Sequence, residues 1–283
     1  MAVAHPRGLS THSAPKPRDL EGKVVLLTGI GQIGDLTMWG NGAAIAKVTA
    51  CEHGAHVFGC DINLEAAQHS KRRLEAENGC CDVVEADVTS AASVKQLVAA
   101  CMEKYGRIDA LVNNVGRSEP GGPAELTEES WDRQMAINLK SIYLTCHEVL
   151  PIMEAQKSGS IVNISSIAGL RYIGKPQVGY AAAKAAMTQF SKTTAVLYAD
   201  KGVRINTVIP GLMHTPLVEY LADKYAGGDI DLMVKTRNAQ VPMGRMGDGF
   251  DVAHAAAFLM SDKAKYITGA EIVVDGGITC RTP

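Results

Sequence analysis

The stretch VVLLTGIGQIGDLTMWGNGAAIA, residues 24–46, decides the fold. A short apolar run ends at Thr28, several glycines follow it, and an alanine-rich helical pattern begins after Gly42. A strand that passes through glycines into a helix lets the backbone approach a phosphate at the positive end of that helix. The stretch therefore predicts the first βα unit of a nucleotide-binding sheet.

The glycines of this turn allow two registers. Gly29, Gly31 and Gly34 form a literal G-x-G-x-x-G, whereas Gly40 and Gly42 stand directly before the helical pattern. The pair Gly40 and Gly42 is favoured because it stands at the start of the helical pattern. The residues between Gly29 and Gly40 then form a long loop. No G-K-[ST] follows, which argues against a nucleotide-kinase P-loop.

The remainder of the chain continues a βα rhythm. Six further short runs, most of them rich in Val and Ile, lie at 56–60, 82–86, 109–113, 160–164, 204–209 and 271–275. Helical patterns separate them, among them those at 63–78, 90–105, 129–156 and 178–200. Apolar strands alternating with helices predict an α/β fold, a doubly wound parallel sheet of about seven strands (Rossmann-type) in a single domain.

Composition sets the limits on partners and location. The 283 residues carry a net charge of −2, which leaves no basic footprint for nucleic acid. No apolar run approaches the roughly 20 residues of a membrane helix, and no export signal is visible. Seven cysteines without such a signal indicate a reducing compartment, and we expect a cytoplasmic protein.

The N-terminal residues 1–20 hold three prolines and almost no large apolar side chains, which predicts a flexible tail before a dinucleotide-binding and catalytic domain at 21–283. An organelle transit peptide stays a weak alternative, because no acidic residue precedes Asp19. A zinc site is a second weak alternative, since its candidate ligands are loosely spaced, and we expect no metal. Those candidates are Cys51, His53, His56 and Cys60.

Asp61 follows the second predicted strand, 19 residues after Gly42. That spacing suits the acid that accepts hydrogen bonds from the ribose of NAD and repels the 2′-phosphate of NADP. Ile62 and Asn63 follow it with no cation to attract that phosphate. NAD is therefore favoured over NADP, although Asp61 could also begin the next helix.

The stretch 159–187 carries the chemistry. Tyr180 and Lys184 are four residues apart and share one helix face, and Ser166 ends the preceding strand. A nearby ammonium, together with an oxidised nicotinamide, is expected to lower the pKa of the phenol. Ser166 can then hold a substrate oxygen while Tyr180 exchanges a proton with it.

On these residues the chain resembles the short-chain dehydrogenase/reductase family over about residues 20–280, in the compact branch that includes 3-oxoacyl carrier-protein reductases and many alcohol and sugar dehydrogenases. Its TGxxxGxG motif matches Thr28, Gly29, Gly40 and Gly42, with seven extra residues after Gly29. The other matching motifs are Asp87-Val88, NNVG at 113–116, Ser166 with Tyr180 and Lys184, Pro210-Gly211, and ITGAEIVVDGG at 267–277.

The resemblance implies roles for individual residues. Asn138 would be the fourth catalytic residue beside Ser166, Tyr180 and Lys184, holding a water that links the lysine to solvent. The cofactor would contact Gly29, Gly40, Asn41, Gly42, Asp61, Ile62, Asp87, Val88, Asn114, Gly116, Tyr180, Lys184, Pro210, Gly211, Met213 and Thr215. Asn138, Asp87 and Thr215 could instead bond or cap local backbone.

The family's substrate lid corresponds to 212–248, where Gly227-Gly228 would allow movement. Candidate lining residues of the substrate pocket are His214, Leu217, Tyr220, Met243 and the stretch 117–123. The resemblance also implies a homo-oligomer, a tetramer or dimer built on the helices at 129–156 and 178–200 and on the last strand.

The sequence thus predicts an NAD(P)-dependent oxidoreductase that interconverts a small secondary alcohol and a ketone by hydride transfer, with Tyr180 as general acid/base. An epimerase or a reductase-cyclase of the same fold would carry the same residues. A non-catalytic, cofactor-sensing regulatory protein is disfavoured, because Tyr180 and Lys184 are both present.

Overall fold

The computed structural model describes residues 19–32, 37–218, 222 and 228–282. Nine strands occur in the described residues. In chain order they are β1 (Val24–Thr28), β2 (His56–Asp61), β3 (Cys80–Glu85), β4 (Ala110–Asn113), β5 (Gly159–Ile164), β6 (Val203–Pro210), β7 (Met213–His214), β8 (Gly247–Asp248) and β9 (Glu271–Val274). Seven of them form one parallel sheet in the order β3-β2-β1-β4-β5-β6-β9, and the short β7 and β8 pair separately. The predicted seven-stranded parallel sheet is confirmed.

Helices connect the strands. They are α1 (Asn41–Lys47), α2 (Leu64–Glu75), α3 (Ala91–Tyr105), α4 (Glu128–Met135), α5 (Ser141–Gln156), α6 (Val178–Tyr198), α7 (Ile230–Gln240) and α8 (Gly249–Met260). The pattern at 129–156 is not one regular helix, because a wide π-type turn over Ala136–Lys140 separates α4 from α5. Such turns interrupt helices mainly at functional positions, and this one contains Asn138.

The sheet is buried on both faces. Alternate residues of β1 point to opposite sides, so Val25 and Leu27 pack against α1 and α8, while Val24 and Leu26 pack against the layer of α3 and α5. All five residues of β1 are buried. This arrangement explains why the central strands read as unbroken apolar runs.

The ends of the chain adjust the predicted boundaries. Asp19 and Leu20, which the predicted tail includes, belong to the folded body: Leu20 is buried and its amide donates to the carbonyl of His53 at 3.2 Å. The rest of that tail, residues 1–18, lies outside the described residues. Among the residues that are described, the helices are all too short or too polar to cross a bilayer.

Candidate active site

The strand order reverses between β1 and β4, because the chain continues from β1 towards one edge of the sheet and from β4 towards the other. This reversal places a crevice at the carboxyl ends of these two strands. Thr28 pairs with Asn113 at that edge. Asn114 closes the crevice floor: its amide N–H donates to Thr28 Oγ1 at 3.1 Å, and its side-chain Nδ2 donates to the carbonyl of Gly29 at 2.9 Å. Asn114, expected to contact a cofactor, thus holds the turn that would receive one.

Helix α1 begins at Asn41, as the second glycine register predicts, with Gly40 as its N-cap and no side chain capping it. Gly42 lies so close to the β1 turn that an added Cβ would stand 2.0 Å from the carbonyl oxygen of Gly29. Only glycine fits at this position. The uncapped amino end of α1 therefore faces the crevice at close range, as phosphate recognition requires.

The loop between Gly29 and Gly40 is anchored at both of its described ends. Gln32 is buried; its Nε2 donates to the carbonyl of Met38 at 2.8 Å and its Oε1 accepts from the amide of Gly40 at 3.0 Å. The Trp39 ring lies 3.6 Å from the Arg73 guanidinium and 4.8 Å from Lys47 Nζ. Residues 33–36, including Gly34 of the alternative register, lie outside the described residues. Sequence reasoning left the contacts of this loop open.

Asp61 stands at the end of β2 beside the same crevice. One carboxylate oxygen accepts from the amide of Gly31 at 2.9 Å, and the other accepts from the amide of Asn63 at 3.0 Å. These bonds orient the carboxylate and leave it further lone pairs for ribose hydroxyls. Asn63, not Asp61, caps α2, so the alternative of Asp61 as that helix cap is wrong. Ile62 is 68% exposed.

The turn after β3 is held together by local hydrogen bonds. Asp87 Oδ1 accepts from the amide and the hydroxyl of Thr89, at 2.8 and 2.7 Å. Ser90, rather than Asp87, caps α3. Val88 is buried in the core. No contact in the structure tests the expected place of Asp87 and Val88 beside an adenine.

Ser166, Tyr180 and Lys184 come together at the open end of β5. Ser166 follows β5, while Tyr180 and Lys184 lie on successive turns of α6. The Lys184 Nζ atom is 5.7 Å from the centre of the Tyr180 ring and donates to the carbonyl of Ile164 at 2.8 Å. The four-residue spacing in the sequence therefore corresponds to two side chains that lie next to each other in the structure.

Burial controls the electrostatics of this group. It raises the pKa of the Tyr180 phenol, and a hydrogen bond with Ser166 opposes that rise. It lowers the pKa of the Lys184 ammonium to about 7. In the protein alone, desolvation is the larger influence on the pKa of Tyr180; the expected lowering depends on a bound oxidised nicotinamide as well as on Lys184 and stays a prediction.

Asn138 is buried beside this group, but its side chain is already engaged. Its Nδ2 donates to the carbonyls of Arg117 and Gln134, both at 2.9 Å, and its Oδ1 accepts from the amide of Arg117 at 3.0 Å. The alternative in which Asn138 bonds backbone is what the structure shows. A Cβ on Gly116 would stand 3.1 Å from Lys184 Nζ and 3.2 Å from Asn138 Oδ1, so Gly116 leaves room for both.

One wall of the pocket is tied to the start of α6. The amide of Gly121 donates to the carbonyl of Pro176 at 2.8 Å, and the amide of Val178 donates back to the carbonyl of Gly121 at 3.2 Å. Glu119 of the same wall pairs with Arg133 on α4 at 2.8 Å, and that guanidinium lowers the pKa of Glu119 to about 2. The stretch 117–123 is therefore fixed to the helix that carries Tyr180.

The opposite wall begins at Pro210, the last residue of β6. An added Cβ on Gly211 would stand 2.7 Å from Asp275 Cα, so the chain passes the end of β9 closely. Met213 and Thr215 are both nearly buried, and Met213 lines a cavity of about 520 Å³ with Met243.

The expected lining residues that the structure describes in this segment are exposed, Met243 at 69%. His214 is exposed and Leu217 is 58% exposed, whereas Tyr220 and Gly227 lie outside the described residues.

The residues present fit a dinucleotide. The amino end of α1 is uncapped, Gly42 permits close approach, and the Asp61 carboxylate is oriented by the amides of Gly31 and Asn63. In addition, Asn41 Oδ1 is buried and meets no donor within 19–32, 37–218, 222 and 228–282. A buried acceptor of this kind is satisfied by a ligand or by water.

Sequence reasoning missed a row of buried polar side chains across the sheet. Asn113 Nδ2 donates to Asn163 Oδ1 at 2.8 Å, Asn163 Nδ2 donates to Ser191 Oγ at 2.8 Å, and Thr145 Oγ1 donates to Asn113 Oδ1 at 2.8 Å. Asn113 is the last residue of β4 and Asn163 the second-last of β5, and the two are partners across the neighbouring strands. The row joins β4 and β5 to α5 and α6.

The cysteines and histidines near β2 form no cluster of three possible ligands among the described residues. His56 Nδ1 instead approaches Cys80 Sγ at 2.9 Å. Burial raises the pKa of Cys60 to about 12.

The fold and the site define a nicotinamide-dependent oxidoreductase with a Rossmann-type sheet. Comparison with known proteins makes this specific: a family model described as enoyl-(acyl carrier protein) reductase matches residues 36–279. The chain is 38% identical over 258 residues to 2,5-dichloro-2,5-cyclohexadiene-1,4-diol dehydrogenase LinX of Sphingobium indicum, covering 91% of this chain and 96% of that protein.

Two further similarities agree. The chain is 37% identical over 259 residues to 3-oxoacyl-[acyl-carrier-protein] reductase FabG of Thermotoga maritima, covering 92% of this chain and 98% of that protein. A solved structure from Burkholderia xenovorans, described as a short-chain dehydrogenase/reductase, has 49% identity and a TM-score of 0.89, covering 94% of this chain and 100% of that one. The chain belongs to the short-chain dehydrogenase/reductase family, whose members use NAD or NADP.

Proposed function

We propose that this protein is an NAD-dependent dehydrogenase that interconverts a small secondary alcohol and a ketone, with Tyr180 as the general acid/base. The meeting of Ser166, Tyr180 and Lys184 at the open end of β5, on the same edge of the sheet as the uncapped start of α1, carries the proposal. Relatives whose names describe a diol dehydrogenase and a ketone-reducing enzyme support the same chemistry.

Each side chain has one task in the proposed reaction. Ser166 Oγ donates a hydrogen bond to the substrate oxygen and so holds it against Tyr180. In the direction of oxidation, Tyr180 Oη takes the hydroxyl proton of the alcohol; in reduction it returns that proton to the ketone oxygen. Bound NAD supplies the hydride acceptor, at C4 of its nicotinamide, in this chemistry.

Lys184 supports Tyr180 in two ways. Its ammonium, held by the carbonyl of Ile164, favours the phenolate once the site is closed and polar. The same ammonium would hydrogen-bond the nicotinamide ribose, which fixes the cofactor relative to Tyr180. Asn138 holds the loop at Arg117 that borders this lysine.

Asp61 supports the choice of NAD over NADP. Its carboxylate faces the crevice from β2, and the backbone of Gly31 already holds one of its oxygens. A 2′-phosphate brought to this carboxylate would meet like charge. We propose that Asp61, the last residue of β2, and Ile62, which follows it, both contact the adenosine ribose.

The remaining expectations extend this proposal. A homo-oligomer is supported by large apolar side chains exposed on the two long helices: Val196 is 77%, Leu197 62% and Tyr143 50% exposed. The lid at 212–248 and a cytoplasmic location stay proposals. All seven cysteines are unpaired, which supports a reducing compartment.

The proposal is tested by Tyr180→Phe. Turnover should fall by at least about 10²-fold, the usual size of a general acid–base contribution, while NAD binding stays nearly intact. The substrates are a panel of secondary alcohols and ketones, with ring diols and 3-oxoacyl thioesters as separate arms, followed by nicotinamide absorbance. Normal turnover by the variant would remove Tyr180 from the proton transfer. A wild-type protein that binds NAD but turns over no substrate would favour the cofactor-sensing alternative.

Cofactor choice has its own test. Asp61→Ala should weaken NAD and improve the relative use of NADP, measured as the ratio of kcat/KM values for the two cofactors. Asp82→Ala is the control, because its carboxylate pairs with Lys104 and Tyr105 on α3 and lies outside the proposed cofactor contacts. An unchanged ratio in the Asp61 variant would show that this carboxylate does not contact the ribose.

A further inference from the structure

Residues 275–281, which follow β9, form a short C-terminal segment. Its fold is set by Asp275, whose carboxylate accepts from the amide of Gly277 at 2.8 Å and from the amide and the hydroxyl of Thr279, both at 2.7 Å. Every residue of this segment is at least partly exposed. The C-terminal segment is therefore held in place by hydrogen bonds more than by apolar burial.

One side of the C-terminal segment contacts the end of the proposed lid. The amide of Met243 donates to the carbonyl of Gly276 at 3.2 Å. An added Cβ on Gly276 would stand 2.5 Å from Val241 Cγ1, and one on Gly277 would stand 3.4 Å from Pro242. Val241 is the C-cap of α7. A shift of the C-terminal segment must therefore displace the end of that helix.

The other side of the C-terminal segment is held by Arg171. The Nη1 atom of this residue donates to the carbonyl of Thr279 at 3.2 Å and to that of Arg281 at 3.0 Å. Arg171 follows the one-turn 3₁₀ helix Ile167–Gly169, which Ser166 caps, and its amide donates to the first carbonyl of that turn at 3.2 Å. The guanidinium thus joins the C-terminal segment to the turn that begins at Ser166.

This turn packs closely against α6. An added Cβ on Gly169 would stand 2.8 Å from the carbonyl carbon of Lys184 and 2.8 Å from the amide nitrogen of Ala185. On the other side of Ser166, Ser165 Oγ donates to the carbonyl of Lys184 at 3.1 Å. Arg171 is therefore anchored on the same packed unit as the proposed catalytic residues.

The C-terminal segment also borders the cavity of about 520 Å³ described above. Asp275, Gly276 and Gly277 line this cavity together with Met213 and Met243. Of these two methionines, Met213 is expected beside the nicotinamide and Met243 in the substrate pocket. The width of the cavity therefore depends on where the C-terminal segment lies.

We propose that the C-terminal segment forms one side of the substrate pocket, and that Arg171 fixes the distance of this side from Ser166. Arg171 is a positioning residue, because it acts through the segment that it holds. By keeping the segment close, it limits the size of the alcohol or ketone that reaches Ser166 and Tyr180. The effect on substrate size rests on the proposed function, whereas the link between the two segments does not.

The link is tested without any activity, by hydrogen–deuterium exchange of the whole protein followed by mass spectrometry. Arg171→Met keeps a long apolar side chain and removes both hydrogen bonds. Amides of 275–282 and 241–244 should then exchange at least about tenfold faster, because hydrogen bonds from a charged donor are lost, while those of α1 should not change. Wild-type exchange at 275–282 would overturn the link.

Arg204→Met is the matched control. The Arg204 guanidinium also holds main-chain carbonyls, those of Ile267, Met260 and Ser261 at 3.3, 3.4 and 3.2 Å, but it lies at the amino end of β6, on the opposite edge of the sheet. This variant should speed exchange at 260–268 and leave 275–282 at the wild-type rate. Faster exchange at 275–282 in both variants would show a general loss of stability and overturn the specific role of Arg171.

The effect on substrate size is tested by kinetics. The measured quantity is the ratio of kcat/KM for an analogue enlarged by a tert-butyl group to kcat/KM for the best substrate of the panel. Arg171→Met should raise this ratio about tenfold, the lower end of what a misfit in a pocket decides, while the KM for NAD stays the same. Arg204→Met should lower Tm and leave the ratio unchanged. A wild-type ratio in the Arg171 variant would refute the specificity role.

A second variant keeps both tests available. If Arg171→Met does not fold, Asp275→Ala serves for both measurements, because it releases the same segment at Thr279. A Tyr180→Phe protein with normal turnover would contradict the proposed function, and the exchange and selectivity comparisons would still decide the role of Arg171.

Discussion

Replacing Gly42 with alanine tests whether α1 truly touches the turn after β1. The new Cβ would stand 2.0 Å from the carbonyl oxygen of Gly29 and 2.6 Å from Asn114 Nδ2. An alanine inside a helix is otherwise about 1 kcal/mol better than glycine. Overpacking costs about 1–3 kcal/mol, and the upper end applies because the contacted atom belongs to the main chain.

The net loss for Gly42→Ala is therefore about 2 kcal/mol, which at roughly 2–4 °C per kcal/mol lowers Tm by about 4–8 °C. The helix must also move away from the crevice, so NAD should bind at least about tenfold more weakly, a loss of about 1.4 kcal/mol. Thermal unfolding followed by circular dichroism and calorimetric titration with NAD measure the two effects.

Gly40→Ala provides the matched control for unfolding of the protein alone. Two residues away in the same motif, its added Cβ meets nothing nearer than Gln32 Oε1 at 3.9 Å, and its φ of −69° suits any residue. Its Tm should change by much less than that of the Gly42 variant. A Gly42→Ala protein with the Tm and NAD affinity of the wild type would refute the close approach of α1 to β1.

Two further predictions concern the lysine and the anchored loop. Burial lowers the pKa of Lys184 from 10.5 to about 7, so the unfolded chain binds more protons than the folded one between these values and stability rises with pH across that window. Lys184→Met should accordingly unfold at a higher denaturant concentration than wild type near pH 7, and the difference between the two midpoints should narrow towards pH 10.5. A difference that stays constant with pH would contradict the lowered pKa of Lys184. Arg73→Leu removes the cation stacked on Trp39, an interaction of about 1 kcal/mol. The fluorescence of Trp39 should shift to the red in this variant, whereas Arg72→Leu, at an exposed position on the same helix, should leave it unchanged. Identical spectra for the two variants would show that Arg73 does not anchor the loop.

The sequence predicted the sheet well because its strands are buried on both faces. Runs such as the one ending at Thr28 must be continuously apolar when helices cover both sides, and that pattern is visible without any structure. The Tyr180–Lys184 pair was visible for a related reason, since a four-residue spacing fixes two side chains on one helix face.

What the sequence could not show depends on contacts between distant segments. The engagement of Asn138 by the backbone of Arg117 needs the loop after β4 to reach the π-type turn between α4 and α5, and no local pattern encodes that approach. The effect of desolvation on the pKa values of Tyr180 and Lys184 could not be predicted for the same reason: adjacency of the two residues is readable along a helix, whereas their desolvation is not. The burial of Gln134 on α4 could not be predicted, because a glutamine on a polar helix is ordinarily exposed.

The two hydrogen bonds between Gly121 and the start of α6 make the two sides of this pocket unequal in how freely they can change during evolution. A mutation on that side shifts the phenol together with the wall, so new specificity acquired there would tend to disturb catalysis. The side formed by β7, β8 and α7 makes no backbone hydrogen bond to the first turn of α6 in the described residues. Divergence towards new substrates, in nature or in directed evolution, should therefore accumulate on that second side.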